Sequence, residues 1–513
     1  MNSSKQIKMG ALLSYFAIAF NMVAGLIYTP WMITQIGQSN YGLYTLANSL
    51  ITLFVMDFGM SAAVSRFVAK YNAQGDQQAV NDFLGVAYKL YFLLDGIILL
   101  ALVVVGFLIN SIYANLQPNE LETFKILYVI VGLFSVISFP FTNLNGILTA
   151  YENFIGLKLA DLFHKVFIIV AMVICLLLGY GVFALVTVNA LSGILTILIK
   201  LYIIRKRTKV RVNFKCKDTG ILKEIFGFSM WTTITSLARR MIFNITPSII
   251  VAVSATGAIG SAIFGLASTV EGYISNFAGA INGMFMPRIS KIVYQGKKDT
   301  ELVDLMIKIG RIQCIIIGVL VVGFISFGKS FIIDIWGKKD FIESYLCAVF
   351  LIIPSYFYMP LQIANTTLIV ENKVKIQSIV YIITGVLNVA LSLVLSRYFG
   401  ALGASVSICI SYLVRSIMLV VTYIKVLNLD MKQFFKHSYL KITPYLLIML
   451  SFGLLLERFN PLNAGFVRFI VNGVVFVCVF AVLMLKLCMN DYEKQLVFGG
   501  VKKLINKIKK REV

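Results

Sequence analysis

Charge is scarce in this 513-residue chain. Only 13% of its residues are Asp, Glu, Lys or Arg, about half of the ~25% usual in soluble domains. A soluble chain of this length divides into several domains, each with a polar surface to cover. Too few polar residues are present for that, which excludes an ordinary cytosolic enzyme and a disordered protein. Histidine is almost missing: His164 and His437 stand alone, so a His-rich metal site is not expected. The seven cysteines are odd in number, scattered, and form neither a CxxC pair nor a zinc spacing. They read as small apolar fillers rather than a secreted disulfide scaffold. No phosphate-cradling glycine loop, no Asp-x-Asp in a polar segment and no Ser/His/Asp set occurs. An ATP-driven pump would need a nucleotide domain that these stretches do not contain. The expectation is therefore a protein that is not an enzyme and carries no cofactor, with Na⁺ or H⁺ as a candidate coupling ion.

What the chain has in excess is apolar length, since 59% of residues are hydrophobic. A bilayer-spanning helix needs about 20 mainly apolar residues. Such stretches lie near 9–33, 41–64, 84–109, 124–149, 159–178, 182–204, 226–253, 258–286, 309–336, 345–369, 376–396, 401–424, 439–457 and 465–487. Transmembrane strands would instead give segments of about ten alternating residues. The fold class expected is an all-α integral membrane protein with fourteen transmembrane helices. The first stretch carries Asn21 and Pro30 and lacks a small-x-small cleavage site, so it is read as retained.

Bases outnumber acids, 46 to 23, giving a formal charge of +23. Counted with those at the span edges, 33 Lys and Arg fall at the N-terminus, in the loops after even-numbered stretches and in the C-terminal tail, against 7 in the alternate loops. Cytoplasmic loops carry the excess of Lys and Arg, so both termini are expected in the cytoplasm and no nucleic-acid partner is needed. The run Arg205-Lys206-Arg207-Thr208-Lys209 and the tail from Lys502 to Arg511 are expected to be solvated or to touch an anionic inner leaflet. Leu504, Ile505 and Ile508 give that tail the pattern of a short amphipathic helix.

The two halves resemble each other at an offset of 219–223 residues. Tyr41-Gly42-Leu43 answers Phe264-Gly265-Leu266. Arg66, Tyr71 and Asp76 answer Arg288, Tyr294 and Asp299. Pro140, Asn145, Glu152 and Asn153 answer Pro360, Asn365, Glu371 and Asn372, and Gly181 and Ala184 answer Gly400 and Gly403. A repeat of six spans returns the chain to its starting side, so the copies are parallel. Such copies commonly form two bundles around a central cavity that opens alternately to either side. The expected organisation is an N-terminal six-helix lobe over 1–205, a basic cytoplasmic linker over 206–225, a C-terminal six-helix lobe over 226–425, and a further hairpin with the basic tail over 426–513.

Charges within the apolar stretches are the candidate site, because a charged side chain at the bilayer centre costs about 2.5–3.5 kcal/mol on insertion scales. Arg239 and Arg240 sit midway along the seventh stretch, about 100° apart around the helix, so at least one should face a polar interior. Arg415 sits midway along the twelfth, on a stripe with Ser407 and Ser411. These read as a cationic wall for an anionic substrate, since a guanidinium matches phosphate and stays charged. Ion pairing with Asp57, Asp95 or Glu271 is the structural alternative. Lys89 and Arg311 are further substrate-binding candidates, although both lie close enough to the cytoplasmic face to snorkel. Asp57, Glu271 and Asp95 are read as coupling or counter-ion residues, and Asp161 with Lys165 as a local i,i+4 pair. Tyr88, Tyr91 and Asp95 share a face that could stack on sugar rings or simply pack. Pro30 and Pro247, in the first spans of the two halves, are candidate gating bends.

The stretch from Tyr41-Gly42-Leu43-Tyr44 through Asp57-Phe58-Gly59-Met60 to Arg66, together with Asn145-Gly146 and Tyr151-Glu152-Asn153, resembles the bacterial polysaccharide exporters, the lipid-linked oligosaccharide (O-antigen) flippases. These share a superfamily with multidrug-and-toxin-extrusion antiporters and the lipid II flippase. The resemblance implies a flippase of the bacterial inner membrane that carries an undecaprenyl-diphosphate-linked oligosaccharide from the cytoplasmic to the outer leaflet by alternating access. It serves surface polysaccharide (O-antigen, lipopolysaccharide or capsule) synthesis, with polysaccharide polymerase machinery as a candidate partner. The competing expectations are a cation-coupled multidrug antiporter of the same fold, which would favour acids over arginines in its cavity, and a membrane sugar polymerase, which would need a larger outer loop.

Overall fold

The computed structural model describes residues 3–55, 57–216, 219–282, 285–296, 301–336, 339–462 and 465–495. Every regular element among them is helical. The order begins α1 (Ser3–Phe54), α2 (Met60–Ala73), α3 (Gln77–Ile112), α4 (Pro118–Ser138), α5 (Leu144–Ala150), α6 (Phe154–Leu177) and α7 (Val182–Arg207). It continues with α8 (Thr219–Phe243), α9 (Thr246–Val253), α10 (Gly257–Asn282), α11 (Met286–Tyr294), α12 (Val303–Ser330), α13 (Ile342–Tyr358) and α14 (Gln362–Val370). The last are α15 (Val374–Leu427), α16 (Met431–His437), α17 (Tyr439–Phe459) and α18 (Phe466–Leu483). The basic tail from Lys502 lies outside the described residues.

The helices are apolar on two faces for two reasons. On α3, Phe83, Ala87, Tyr91, Ile98 and Leu102 are buried in protein, while Leu93, Ile97, Leu100, Val104 and Phe107 are exposed on the opposite side. That outward stripe, at i, i+4, i+7 spacing, is what lipid requires and water would penalise. The protein is a multi-pass membrane protein. By length and apolarity ten elements among the described residues can cross a bilayer, or eleven if the pair Thr233–Phe243 and Thr246–Val253 counts as one. The fourteen expected is not reached on that measure, for two reasons. The elements α1 and α15, of 52 and 54 residues, each hold two of the expected stretches, joined at Gly37 (φ 79°) and Gly400 (φ 56°). The helix α10, rich in Gly, Ser and Thr around Glu271, is not among the ten. At Gly400 the chain reverses: a Cβ on Gly403 would run into the carbonyl of Leu395, whereas residues eight apart in a straight helix are separated by about 12 Å.

Proline does less than expected and glycine more. Pro30 lies inside α1, and the break falls seven residues later at Gly37. Pro247 opens α9, and α8 and α9 meet at 42°.

The internal repeat is written in the backbone. Left-handed residues recur at Gly37 and Gly257, Gly75 and Gly296, Glu152 and Asn372, and Gly179 and Gly400, so the offset is 220–221 throughout. The most detailed match is a one-turn 3₁₀ segment holding a proline, Phe139–Phe141 in one copy and Met359–Leu361 in the other, followed by a short helix and a sharp turn. In the first turn the amides of Glu152 and Asn153 donate to the carbonyls of Thr149 and Leu148. In the second those of Asn372 and Lys373 donate to Ile369 and Leu368. Packing groups the chain into two compact units, Met1–Thr269 with Val374–Arg415, and Val270–Lys373 with Ser416–Val513. This division cuts across the sequence halves, because α8, α9, α11-preceding residues to Thr269, and most of α15 pack with the N-terminal helices.

Candidate functional site

The arginines marked by their cost in lipid come together in the first unit around a residue that the sequence did not single out. Tyr381, on α15, is buried. The Cζ of Arg415 lies 4.9 Å from its ring centroid and that of Arg239 lies 5.8 Å from it. Arg415 is also stacked 3.6 Å from the ring of Tyr412, which in turn meets Phe243 edge-on at 5.8 Å. A tyrosine face carries negative quadrupole density, so it can hold guanidinium groups without neutralising them. Arg415 is only 3% exposed while Arg239 is exposed. Arg239 makes no hydrogen bond or ion pair among the described residues, so its donors remain available. The two positions three residues apart on α15, Tyr412 and Arg415, are neighbours on one helix face. Ser407 and Ser411 lie on the same buried stripe, with Ser407 Oγ donating to Gly403 O at 2.8 Å.

Arg240 takes another direction, as adjacent helix positions must. It is half-buried, and its nearest charge is Asp57. Asp57 occupies the break between α1 and α2, where Phe58 and Gly59 are left-handed. Its Oδ1 accepts from the amide of Ser61 at 3.0 Å and from Tyr91 Oη at 3.4 Å. Thr233, one helical turn and more before Arg239 on α8, donates to the carbonyl of Phe58. The α1–α2 break is thus fastened to the helix that carries both arginines.

The remaining candidates sit elsewhere. Lys89, expected at the substrate site, is exposed and donates to the carbonyl of Cys216 at 2.6 Å. It anchors the linker, which also docks through Asn213 onto Asn81 O at 3.0 Å and Asp82 Oδ1 at 2.5 Å. A Cβ on Gly85 would collide with the carbonyl of Asn213, so that contact needs the glycine. Arg311, also expected at the substrate site, is fully engaged in the second unit. Its Nε donates to Glu493 Oε1 at 2.5 Å, its Nη2 to Glu493 Oε2 and to Cys488 O at 2.9 Å, and its Nη1 to His437 O at 2.9 Å. Both partners are buried. Breaking a pair of this kind costs about 3–5 kcal/mol, so Arg311 is a clamp on the chain after α18 and has no donor to spare for cargo.

Glu271 is 9% exposed and accepts from Ser275 Oγ one turn on. Asp95 is equally buried, and its Oδ1 has no hydrogen-bond partner. Tyr88 and Tyr91 are packed against Phe92, Phe214 and Phe139, which is the packing alternative for that face rather than an open stacking platform. The expected local pair of Asp161 and Lys165 does not form. Asp161 Oδ1 pairs instead with Lys200 at 2.8 Å and Oδ2 with Lys158 at 3.6 Å.

Residues 7–293, more than half of the chain, match the family described as polysaccharide biosynthesis protein. The chain belongs to that family. This polysaccharide biosynthesis protein is 27% identical over 381 residues to an uncharacterized membrane protein of Methanocaldococcus jannaschii, a match that covers 72% of this chain and 85% of the relative. Its fold is that of the lipid II flippase MurJ in an inward closed conformation, with a TM-score of 0.66 at 16% identity over 93% of this chain and 98% of that one. It is also similar to an inward-facing multidrug resistance MATE family transporter of the MOP superfamily, with a TM-score of 0.58 at 17% identity over 81% and 96% of the two chains. A MOP superfamily transporter from Pyrococcus furiosus, titled as having a binding pocket of reversed polarity, matches at 0.53 and 16% identity over 82% and 95%. These neighbours are transporters and flippases, not enzymes.

Proposed function

We propose that this family member is a flippase for a lipid-linked oligosaccharide, with the prenyl carrier undecaprenol and the linkage a diphosphate. The observation that carries the reading is the pair of guanidinium groups of Arg239 and Arg415 on the Tyr381 face, midway along membrane-spanning helices. Two adjacent guanidiniums on an aromatic face repel each other, and an anion between them relieves that repulsion. A diphosphate offers oxygens enough for both, and bidentate contacts from Arg suit it. Arg240 beside Asp57 would then adjust the position of α8 rather than hold cargo. Asp57, Glu271 and Asp95 remain the residues proposed for coupling to H⁺ or Na⁺. Movement would run from the cytoplasmic leaflet of the plasma membrane, where lipid-linked repeat units are built, to the outer leaflet, where polymerase machinery would take them.

The test is transport of a fluorescent prenyl-diphosphate oligosaccharide in proteoliposomes. Arg239→Ala with Arg415→Ala should slow it at least tenfold, the loss expected for about 1.4 kcal/mol or more of binding at each charged contact, with insertion and thermal stability retained. Undiminished transport in the folded double variant would end the proposal. A cation-coupled multidrug antiporter is the second reading, favoured by the shared fold and the acids in the spans. It predicts export of organic cations, lost when Glu271 or Asp57 is neutralised.

A further inference from the structure

A second charged cavity lies wholly inside the first unit and away from the arginine cluster. It measures about 580 Å³ and is bounded by α1, α4, α5, α6 and α7. Its charged lining is Lys158, Asp161 and Lys165 of α6 and Lys200 of α7, with His164 beside them. The cations exceed the acids. Asp161 is spent twice, on Lys200 at 2.8 Å and on Lys158 at 3.6 Å. Lys200, buried, is further satisfied by Asn145 Oδ1 at 2.9 Å. His164 shares a hydrogen bond with Ser192 at 2.8 Å. Lys165 has nothing comparable: it is half-buried, and its ammonium makes no hydrogen bond or ion pair among the described residues.

The position of Lys165 sharpens the problem. It is the twelfth of the 24 residues of α6, about 16 Å along the helix from its start. A lysine side chain cannot span that distance to reach either end, so snorkelling does not relieve it. Its natural neighbour one turn back, Asp161, is turned away toward α7. An ammonium held in the middle of a span, facing a cavity whose only carboxylate is already paired, requires a counter-charge. The cavity is large enough for more than a bare ion, and its neutral lining, Thr196 and Asn189 among others, offers hydroxyl and amide groups for oxygen atoms.

We propose that this cavity binds a phosphate-type oxyanion, with Lys165 as its principal contact and Lys158 at its rim. The chemistry fits either the headgroup of an anionic phospholipid or a soluble phosphate or pyrophosphate. The site is independent of the arginine cluster and does not rest on the flippase reading.

Thermal unfolding of the full-length protein distinguishes the sources. One arm compares nanodiscs of phosphatidylcholine alone with nanodiscs containing phosphatidylglycerol; the other adds inorganic pyrophosphate to the protein in uncharged detergent. Stabilisation by phosphatidylglycerol alone assigns the site to a lipid headgroup, and stabilisation by pyrophosphate assigns it to a soluble anion. In either case Lys165→Ala should weaken the apparent affinity about tenfold, as loss of one charge-assisted contact implies, and Lys165→Arg should restore it. Lys158→Gln, at a more exposed position, serves the same purpose should Lys165→Ala fail to insert. Arg239→Ala with Arg415→Ala should leave the stabilisation intact. No stabilisation in either arm, or stabilisation unchanged in the lysine variants, would overturn the site. So would its loss in the arginine double variant, which would place the anion at the arginine cluster.

Discussion

Tyr381 changes what the two arginines beside it can do. A carboxylate in its place would neutralise one guanidinium and leave a dry ion pair, whereas a ring face attracts both and cancels neither charge. Contacts of this type are worth about 0.5–2 kcal/mol each, according to how dry the site is. Tyr381→Leu is therefore expected to slow transport of a prenyl-diphosphate oligosaccharide by roughly two- to thirty-fold. Tyr381→Phe, which keeps the ring face, should lose little. Equal loss in both variants would mean that the hydroxyl, not the ring, matters. The arginines were legible in the sequence because their presence in an apolar stretch is itself a signal. Tyr381 and Tyr412 were not, since one tyrosine among 24 in a chain of this composition looks like packing until its neighbours are known. The same limit applies to Asp161. A rule based on local spacing selects Lys165, but the ammonium that reaches it, Lys200, is 39 residues away on another helix.

At the scale of elements, the four pairs of left-handed residues define where the chain turns, and residue type decides how well each turn is tolerated. Gly400 has φ 56° and ψ −132°, a conformation essentially reserved for glycine, so Gly400→Ala should destabilise the protein by about 1–3 kcal/mol. Glu152, at φ 53°, already bears the penalty of a side chain in the left-handed region. Glu152→Gly should cost nothing and could add up to about 1 kcal/mol. Thermal unfolding of the two variants in one detergent gives opposite signs if the backbone governs. A loss of stability in Glu152→Gly would show that its side chain contributes more than its strain removes. The repeat itself was visible in the sequence, because proline and glycine mark turns by their backbone chemistry. Its register was harder to see. Matching letters pairs Glu152 with Glu371, whereas the backbones pair Glu152 with Asn372, since φ depends on position in the turn and not on side-chain identity. The helix boundaries inside α1 and α15 were equally hidden in another sense: hydropathy marks where lipid is crossed, and it places a gap at each turn that a single glycine is enough to make.

For the whole molecule the strongest field is set by the cations. They number 33 in one set of loops and termini against 7 in the other, and cytoplasmic retention of Lys and Arg acts over the 15–20 or so residues flanking each span. The turn between α2 and α3, around Asn72, belongs to the first set. The start of α4, with the exposed side chain of Glu122, belongs to the second. In a variant lacking the seven native cysteines, Glu122→Cys should react with a membrane-impermeant maleimide in intact cells. Asn72→Cys, exposed in the structure, should react only once the membrane is breached. The two sites lie at opposite ends of α3, a helix of 36 residues, or about 54 Å at 1.5 Å per residue. That length exceeds the ~30 Å hydrocarbon core, so the reagent meets each site on one side only. Labelling with the reverse pattern would invert the molecule, and with it the direction in which a cytoplasmic cargo could be loaded.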